Sequence, residues 1–325
     1  MKKPGKNRPA AGAGTDDATA ARVSWYHYKE GLTQQQVADR VGLSRATVNK
    51  IISDARAKGM VRITIDSPLS PCLELENRLT ETFGLEEAIV VPAPGREDDT
   101  YFVVGQATGD YVSRALGTGE VLGMTWGSTL HFAAQTLEPR TGAKNTVVSL
   151  SGGLSKSTVI NPYDNASMFA RILDAECYYM TAPMMVESRD VKDAMLASSS
   201  IAAVLEIAGK IDLALLTTVD LSPGSKSMEY GVLTEELRTS LLNAGSVGNV
   251  CDHYIDANGD LVDHPVNDLT VSVPLDLVRR IPRRVIAGGG AYKADILRAC
   301  LKAGICTVLI TEEGAANALL EPDAQ

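Results

Sequence analysis

Apolar residues recur at helical spacing through "TQQQVADRVGLSRATVNKII", residues 33–52. Val37, Ala38 and Val41 fall on one side of a short helix, and Val48, Ile51 and Ile52 on one side of a second. Thr33 and Ser44 stand where each helix needs an N-cap, and Gly42 falls at the sharp turn between them, where a positive φ costs glycine little. Leu43 plugs the corner, and Ala38 is small where the two helices cross. Upstream, "DDATAARVSWYHYKEG" predicts a preceding amphipathic helix packed through Val23, Tyr26 and Trp25. Downstream, "GMVRITI" predicts a strand, a wing that carries Arg62.

From about Pro71 the pattern changes. "CLELENRLTETFG" reads as a helix. After it, apolar strands alternate with helices, the strands falling at 87–91, 120–126, 146–150, 177–182, 212–219, 283–289 and 306–311. The intervening helices are placed at 101–116, 129–137, 164–175, 191–208, 234–244 and 291–303. Strands this uniformly apolar, separated by helices, predict a parallel sheet covered on both faces. "DHYIDANGDLVDHP" departs from that rhythm, and its "DANGD" turn signal predicts a hairpin beside the sheet. The fold class is therefore α/β: a small helix-turn-helix domain, then a large, doubly wound, mostly parallel domain. The boundaries fall at 1–15 for a disordered tail rich in Lys, Pro, Gly and Ala, at 16–66 for the helical domain, and at 67–325 for the large one.

Charge sharpens this division. The 325 residues carry a formal net charge of −9, with 45% hydrophobic and 22% charged residues. Yet residues 1–66 hold 12 Lys or Arg against 6 Asp or Glu, whereas residues 67–325 hold 19 against 34. Basic charge concentrated in one small domain is the footprint of polyanion binding, whatever the whole-chain balance. The second helix turns Arg45, Ala46, Thr47, Asn49 and Lys50 outward, side chains suited to base edges and phosphates. The residues assigned to operator DNA are Thr33, Gln34, Ser44, Arg45, Thr47, Asn49 and Lys50. The competing reading is an ordinary helical hairpin with a solvated basic face. The coincidence of spacing, caps and outward chemistry favours DNA.

Three strand ends in the large domain carry small residues able to approach a ligand: Gly127, Ser128 and Thr129; Ser151, Gly152 and Gly153; and the glycines of "VIAGGGAYKADI", with Lys293 in the next turn. Ligands of such sheets bind where strand ends feed helix N-termini. One such turn occurs in every α/β protein, but three in one domain, one of them beside a lysine, favour an anionic or polyhydroxy ligand. None matches a nucleotide-binding glycine motif. The five cysteines are scattered, no C-x-x-C occurs, and Cys251 with His253 lacks a second pair for zinc. No metal or cofactor is expected. The N-terminus lacks the apolar core of a secretory signal, and no apolar run reaches the roughly 20 residues of a membrane span, so a cytoplasmic location is expected.

Taken together, "GLTQQQVADRVGLSRATVNKII", "TWGSTL", "SGG", "VCDHYIDANGDLV" and "VIAGGGAYKADILRACLKAGICTVLITEEGAANALL" make the chain resemble the SorC family of bacterial sugar-responsive transcriptional regulators. The resemblance spans nearly everything after the tail. It implies a large domain resembling sugar-phosphate isomerases and deaminases in fold but serving as a sensor, in a homo-oligomer, tetramer or dimer, on a roughly palindromic operator. It also implies that Gly127–Thr129, Ser151–Gly153 and Lys293 hold the effector, with Asn249 and Asp252 near the sugar. One departure matters: members that take multiply phosphorylated sugars tend to carry a cation just before the Gly-Gly, and here Ser151 stands there. Lys226 is a candidate replacement. A sugar, a polyol or a sugar monophosphate is favoured over a bisphosphate. The rival reading, an enzyme with an accessory DNA-binding module, needs a positioned base. The four histidines form no cluster, so no catalytic residue is assigned. A regulator governed by a protein partner alone would leave the three turns without a use.

Overall fold

Leu213 and Leu215 point to one face of a central strand while Ala214 and Leu216 point to the other, and both pairs are buried in separate apolar cores. That two-sided burial is what a continuous apolar strand demands, and it organises the larger part of the molecule. In this computed structural model the described residues are 17–61, 70–96, 99–155 and 161–321. The chain divides into two units, Met1–Ser67 and Pro68–Gln325.

In the N-terminal unit, α1 (Asp17–Ser24) runs into a π-helical turn, Trp25–Lys29, and is followed by α2 (Gln34–Val41) and α3 (Arg45–Ala57). Thr33 and Gln36 form a reciprocal capping box at the start of α2, and Gly42 ends it in the left-handed conformation at φ 71°. Ser44 caps α3 by accepting from the Thr47 N–H. Val23, Val37, Ala38, Val48, Ile51 and Ile52 make the core, with Leu43 packed against it. Trp25 does not join them. It is 57% exposed: two positions after Val23, about 200° round a helix, it falls on the side away from the face that Val23 buries. The expected tail at 1–15 and the wing strand with Arg62 lie outside the described residues.

The second unit opens with α4 (Ser70–Phe83), β1 (Glu87–Val91), α5 (Thr100–Ala115), β2 (Val121–Met124), α6 (Ser128–Ala133), β3 (Thr146–Gly153), α7 (Pro162–Leu173) and β4 (Glu176–Pro183). It continues through α8 (Arg189–Leu196), α9 (Ser199–Ala208), β5 (Leu213–Leu216), β6 (Thr218–Asp220), α10 (Lys226–Glu229), α11 (Glu235–Asn243), β7 (Gly248–Val250) and β8 (His253–Ile255). It closes with α12 (Pro265–Leu269), α13 (Leu275–Arg280), β9 (Arg283–Ala287), α14 (Ala294–Lys302), β10 (Val308–Glu312) and α15 (Glu313–Leu320). Seven strands form one sheet in the order β1-β10-β9-β5-β2-β3-β4, every pairing parallel. From β2 the chain builds outward through β3 and β4; from β5 it builds the opposite way through β9 and β10. The order therefore reverses between β2 and β5, and a crevice opens there at the strands' carboxyl ends.

Four local expectations are corrected. The strand expected at 212–219 is two strands: β5 stops at Leu216, and β6 joins β7 and β8 in a separate antiparallel sheet. The cause is Thr217, whose N–H donates to Thr125 Oγ1 and whose hydroxyl donates to the Trp126 carbonyl, turning the chain out of the ladder. The helix expected at 191–208 breaks at Ser198, which adopts an extended backbone and donates its hydroxyl to the Met195 carbonyl. Ser151–Gly153 belong to β3 itself rather than to a turn beyond it. The "DANGD" turn forms, with Asp256 accepting from the N–H groups of Asn258 and Asp260, but its return is a single bridge from Ile255 to Leu261. The fuller hairpin joins β7 to β8 through Cys251 and Asp252, both at positive φ.

Candidate functional site

Two surfaces carry the residues singled out above. On the N-terminal unit, α3 presents Arg45, Thr47, Asn49 and Lys50, all exposed. Ser44 and Thr47 share a hydroxyl hydrogen bond of 2.7 Å, and the Gln34 side-chain amide donates to Asn49 Oδ1 at 3.1 Å. The first turn of α3 is thus fixed by its own cap and tied to the start of α2, so Thr33 and Gln34 accompany it. Arg40 braces α2 against the π-helical turn, lying 4.2 Å over the Tyr26 ring and pairing with Glu30.

On the second unit, a cleft of about 420 Å³ of free space, solvent mouth included, occupies the crevice between β2 and β5. Trp126, Gly127, Ser128 and Thr129 enter from the end of β2, and Thr217, Thr218, Val219 and Asp220 from the end of β5. Lys293 enters from beyond β9. Gly127 has φ 133°, a conformation L side chains rarely adopt, and its carbonyl accepts from the Asn165 side chain at 3.1 Å. Gly290, at φ 97°, donates its N–H to Glu312 Oε1 at 3.0 Å, and the same carboxylate accepts the first N–H groups of α15. These contacts hold the two turns before any ligand arrives.

Lys293 is buried, with Nζ donating to the Thr218 carbonyl at 3.1 Å and lying 5.3 Å over the Tyr101 ring. Burial lowers its pKa from the ordinary lysine value, and Asp220 opposes that shift. The ammonium has three donors, and the bond to the Thr218 carbonyl uses one of them, which leaves it with donors to offer. The Thr218 hydroxyl, also buried and lining the cleft, has no hydrogen-bond partner among the described residues. An orphaned hydroxyl beside a buried ammonium carries a desolvation cost that a polar ligand would remove.

Of the assigned effector residues, the cleft brings together Gly127, Ser128, Thr129 and Lys293 and leaves the others outside its lining. Ser151, Asn249 and Asp252 gather behind Trp126. The Trp126 indole N–H donates to Asp252 Oδ1 at 2.8 Å, and Asn249 Oδ1 accepts the Asp252 N–H. Asp252 Oδ2 and Ser151 Oγ are both buried without a hydrogen-bond partner among the described residues. Burial pushes the Asp252 carboxyl above its ordinary pKa, against the nearby Ser151 hydroxyl and the Trp126 N–H. Gly152 and Gly153 have packing reasons of their own. A Cβ on Gly152 would come 2.5 Å from the Pro183 carbonyl oxygen, and one on Gly153 would come 2.3 Å from the Tyr163 ring.

Sequence reasoning passed over Tyr101, Trp126, Thr218, Asp220, Ser225 and Tyr230. The run "TTVDLSPGSKS", dense in hydroxyls and opening just after a strand, was the available signal. Three of the four histidines are separately engaged: His27 with the Leu32 carbonyl, His253 with the Val273 carbonyl, His264 with Ser240. Burial lowers the pKa of His253 and so favours its neutral form, against the hydrogen bond to the Val273 carbonyl. Among the described residues no three His, Cys, Asp or Glu side chains are placed to hold a metal, and no helix is long and apolar enough to cross a membrane.

Comparison with known proteins bears on both surfaces. A family model described as "Putative sugar-binding domain" matches residues 67–321, and one described as "Winged helix-turn-helix DNA-binding" matches residues 28–62. The erythritol catabolism regulatory protein EryD of Brucella abortus is 30% identical over 311 residues, covering 95% of this chain and 98% of that protein. The deoxyribonucleoside regulator of Bacillus subtilis is 29% identical over 305 residues, covering 93% and 96%. The full-length sorbitol operon regulator SorC of Klebsiella pneumoniae shares the fold, with a TM-score of 0.73 at 23% identity over 94% of this chain and 100% of that one. With a sugar-binding model covering most of the chain and a helix-turn-helix model preceding it, this chain belongs to the SorC family of bacterial transcriptional regulators.

Proposed function

We propose that the protein is a cytoplasmic, non-catalytic switch of carbohydrate catabolism, a repressor whose grip on operator DNA changes when a sugar, polyol or sugar monophosphate enters the cleft between β2 and β5. Arg45, Thr47, Asn49 and Lys50 read the operator, with Ser44, Thr33 and Gln34 fixing the helix that carries them. The functional subunits pair about a two-fold axis, as a dimer or tetramer, on a roughly palindromic site, since one small module contacts few base pairs. Gly127, Ser128, Thr129 and Lys293 hold the effector. Ser151, Gly152, Gly153, Asn249 and Asp252 support it from behind Trp126 or meet a ligand that reaches past that ring.

The observation that carries this reading is the placement, at the reversal point of the sheet, of buried Lys293 and of the buried Thr218 hydroxyl, which has no hydrogen-bond partner among the described residues. A structural lysine would be expected on the surface or in a closed ion pair. The neighbouring EryD takes its name from erythritol catabolism, which is consistent with a small polyhydroxy effector here. Thermal-shift screening of sugars, polyols and their phosphates tests the proposal, followed by operator gel shifts with each stabilising compound. A compound that raises the melting temperature and alters operator affinity is expected. Stabilising compounds that leave operator affinity unchanged would refute the switch.

A further inference from the structure

The charges in the cleft narrow what it holds. Besides Lys293, the lining has two charged groups, Asp220 and Lys226, and no arginine. Lys226 Nζ donates to Glu229 at 2.7 Å, so its charge is countered at the rim. Asp220 is only 3% exposed. Its Oδ1 accepts from the Ser222 N–H at 3.0 Å and from the Ser222 hydroxyl, whereas Oδ2 accepts nothing among the described residues. Asp220 lies close enough to Lys293 to favour its charged form. The remaining polar lining is hydroxyl-rich: Ser128, Thr129, Thr218, Ser225, Ser227 and Tyr230.

A carboxylate oxygen with spare lone pairs asks for a hydroxyl or amine donor, and an ammonium with spare protons asks for an acceptor. Neighbouring hydroxyls of one small molecule satisfy both at once, each donating to the carboxylate or accepting from the ammonium. A phosphate ester does not fit this balance. It carries about −1.5 to −2 charges at pH 7, whereas the cleft sets one buried cation, Lys293, in the same lining as a buried carboxylate, Asp220. Like charges in a desolvated site repel strongly, so the ester would have to displace the Asp220 carboxylate.

We propose that the effector is an uncharged polyhydroxy compound, a small sugar or polyol, gripped between Asp220 and Lys293 with the Thr218 hydroxyl beside them, and that Asp220 is the residue that rejects its phosphate ester. This rests on the cleft being the effector site, and the experiment separates the two claims. Full-length protein is titrated calorimetrically with four-, five- and six-carbon alditols and aldoses, with the monophosphate of each, and with inorganic phosphate. At least one uncharged compound binds, and its monophosphate binds at least about tenfold more weakly, about 1.4 kcal/mol. Asp220→Asn weakens the uncharged ligand about tenfold or more and improves the monophosphate. Thr218→Val, which keeps the shape of a residue outside any ion pair, weakens the uncharged ligand as well and serves if Asp220→Asn does not fold. A monophosphate binding wild type more tightly than its parent compound overturns the charge argument and leaves the cleft as the site. Unchanged affinity in Asp220→Asn, Thr218→Val and Lys293→Ala alike, or no binding across the whole panel, overturns the cleft reading and this inference with it.

Discussion

Lys293→Met separates a lysine held for ligand binding from one that pins the fold. The substitution keeps an unbranched stem of similar length and removes the charge. Two opposing terms decide the outcome. The hydrogen bond to the Thr218 carbonyl disappears, a loss of about 1.5–3 kcal/mol for a charged donor. Against it stands the desolvation of a buried ammonium, several kcal/mol per ion after relaxation, which methionine does not incur. Asp220 keeps both donors of Ser222 when its cation goes. The terms nearly cancel or favour the variant, so its melting temperature should equal or exceed wild type by a few degrees, about 2–4 °C per kcal/mol at this domain size. The pH profile adds a second reading. The unfolded lysine keeps its proton up to about 10.4, whereas the folded one releases it at lower pH because burial lowers its pKa. Between those two values the unfolded state binds more protons, so wild-type stability rises with pH there. That rise should vanish in the methionine variant. Calorimetric melting across alkaline pH, with and without a bound effector, measures both. A variant that melts far below wild type yet still responds to the effector would make Lys293 a structural pin and refute the reasoning.

Asp252→Asn should raise the melting temperature at pH 7. The folded carboxyl ionises less readily than the unfolded one, so wild type loses stability as pH rises through the window above the unfolded value of about 3.9. The amide abolishes that loss while still accepting from Trp126, and melting curves from pH 4 to 8 would show a flattened profile. Gly152→Ala should destabilise by about 1–3 kcal/mol, as overpacking does, because its Cβ meets the Pro183 backbone rather than a movable side chain; urea unfolding measures it. Arg45→Ala and Asn49→Ala should each relax operator preference by about 1–3 kcal/mol, while Lys50→Ala should weaken binding to any sequence and reduce its salt dependence, all readable by fluorescence anisotropy.

What the sequence disclosed follows from the range of the forces involved. Helix caps and apolar periodicity are local, so Thr33, Gly42 and Ser44 announced the helix-turn-helix, and uniformly apolar runs announced the parallel sheet. The turn at Gly127–Thr129 and the lysine at 293 were legible because a strand, a glycine and a helix start adjoin in the chain. The departure of β6 into a second sheet was not legible, since it depends on Thr217 meeting Thr125 and Trp126, about ninety residues away. The same tertiary contact brings Thr218 and Asp220 into the cleft, which is why both were missed. The Cys251–Asp252 turn hid for a different reason: its positive φ values fall on residues that do not advertise them. Gly152 and Gly153 illustrate that glycine signals close approach without naming the partner. Here the close neighbours are Pro183 and Tyr163.

The central claim is that occupancy of the cleft is coupled to operator affinity. Its most direct test is an anisotropy titration of labelled operator with wild type and Lys293→Ala, at one salt concentration, with and without a saturating compound from the panel. The wild-type dissociation constant should shift by about 5–150-fold, the range of a coupling free energy of 1–3 kcal/mol. Lys293→Ala should bind operator as tightly as ligand-free wild type and show no shift at that concentration. An equal shift in both proteins, or none in wild type, would contradict the account.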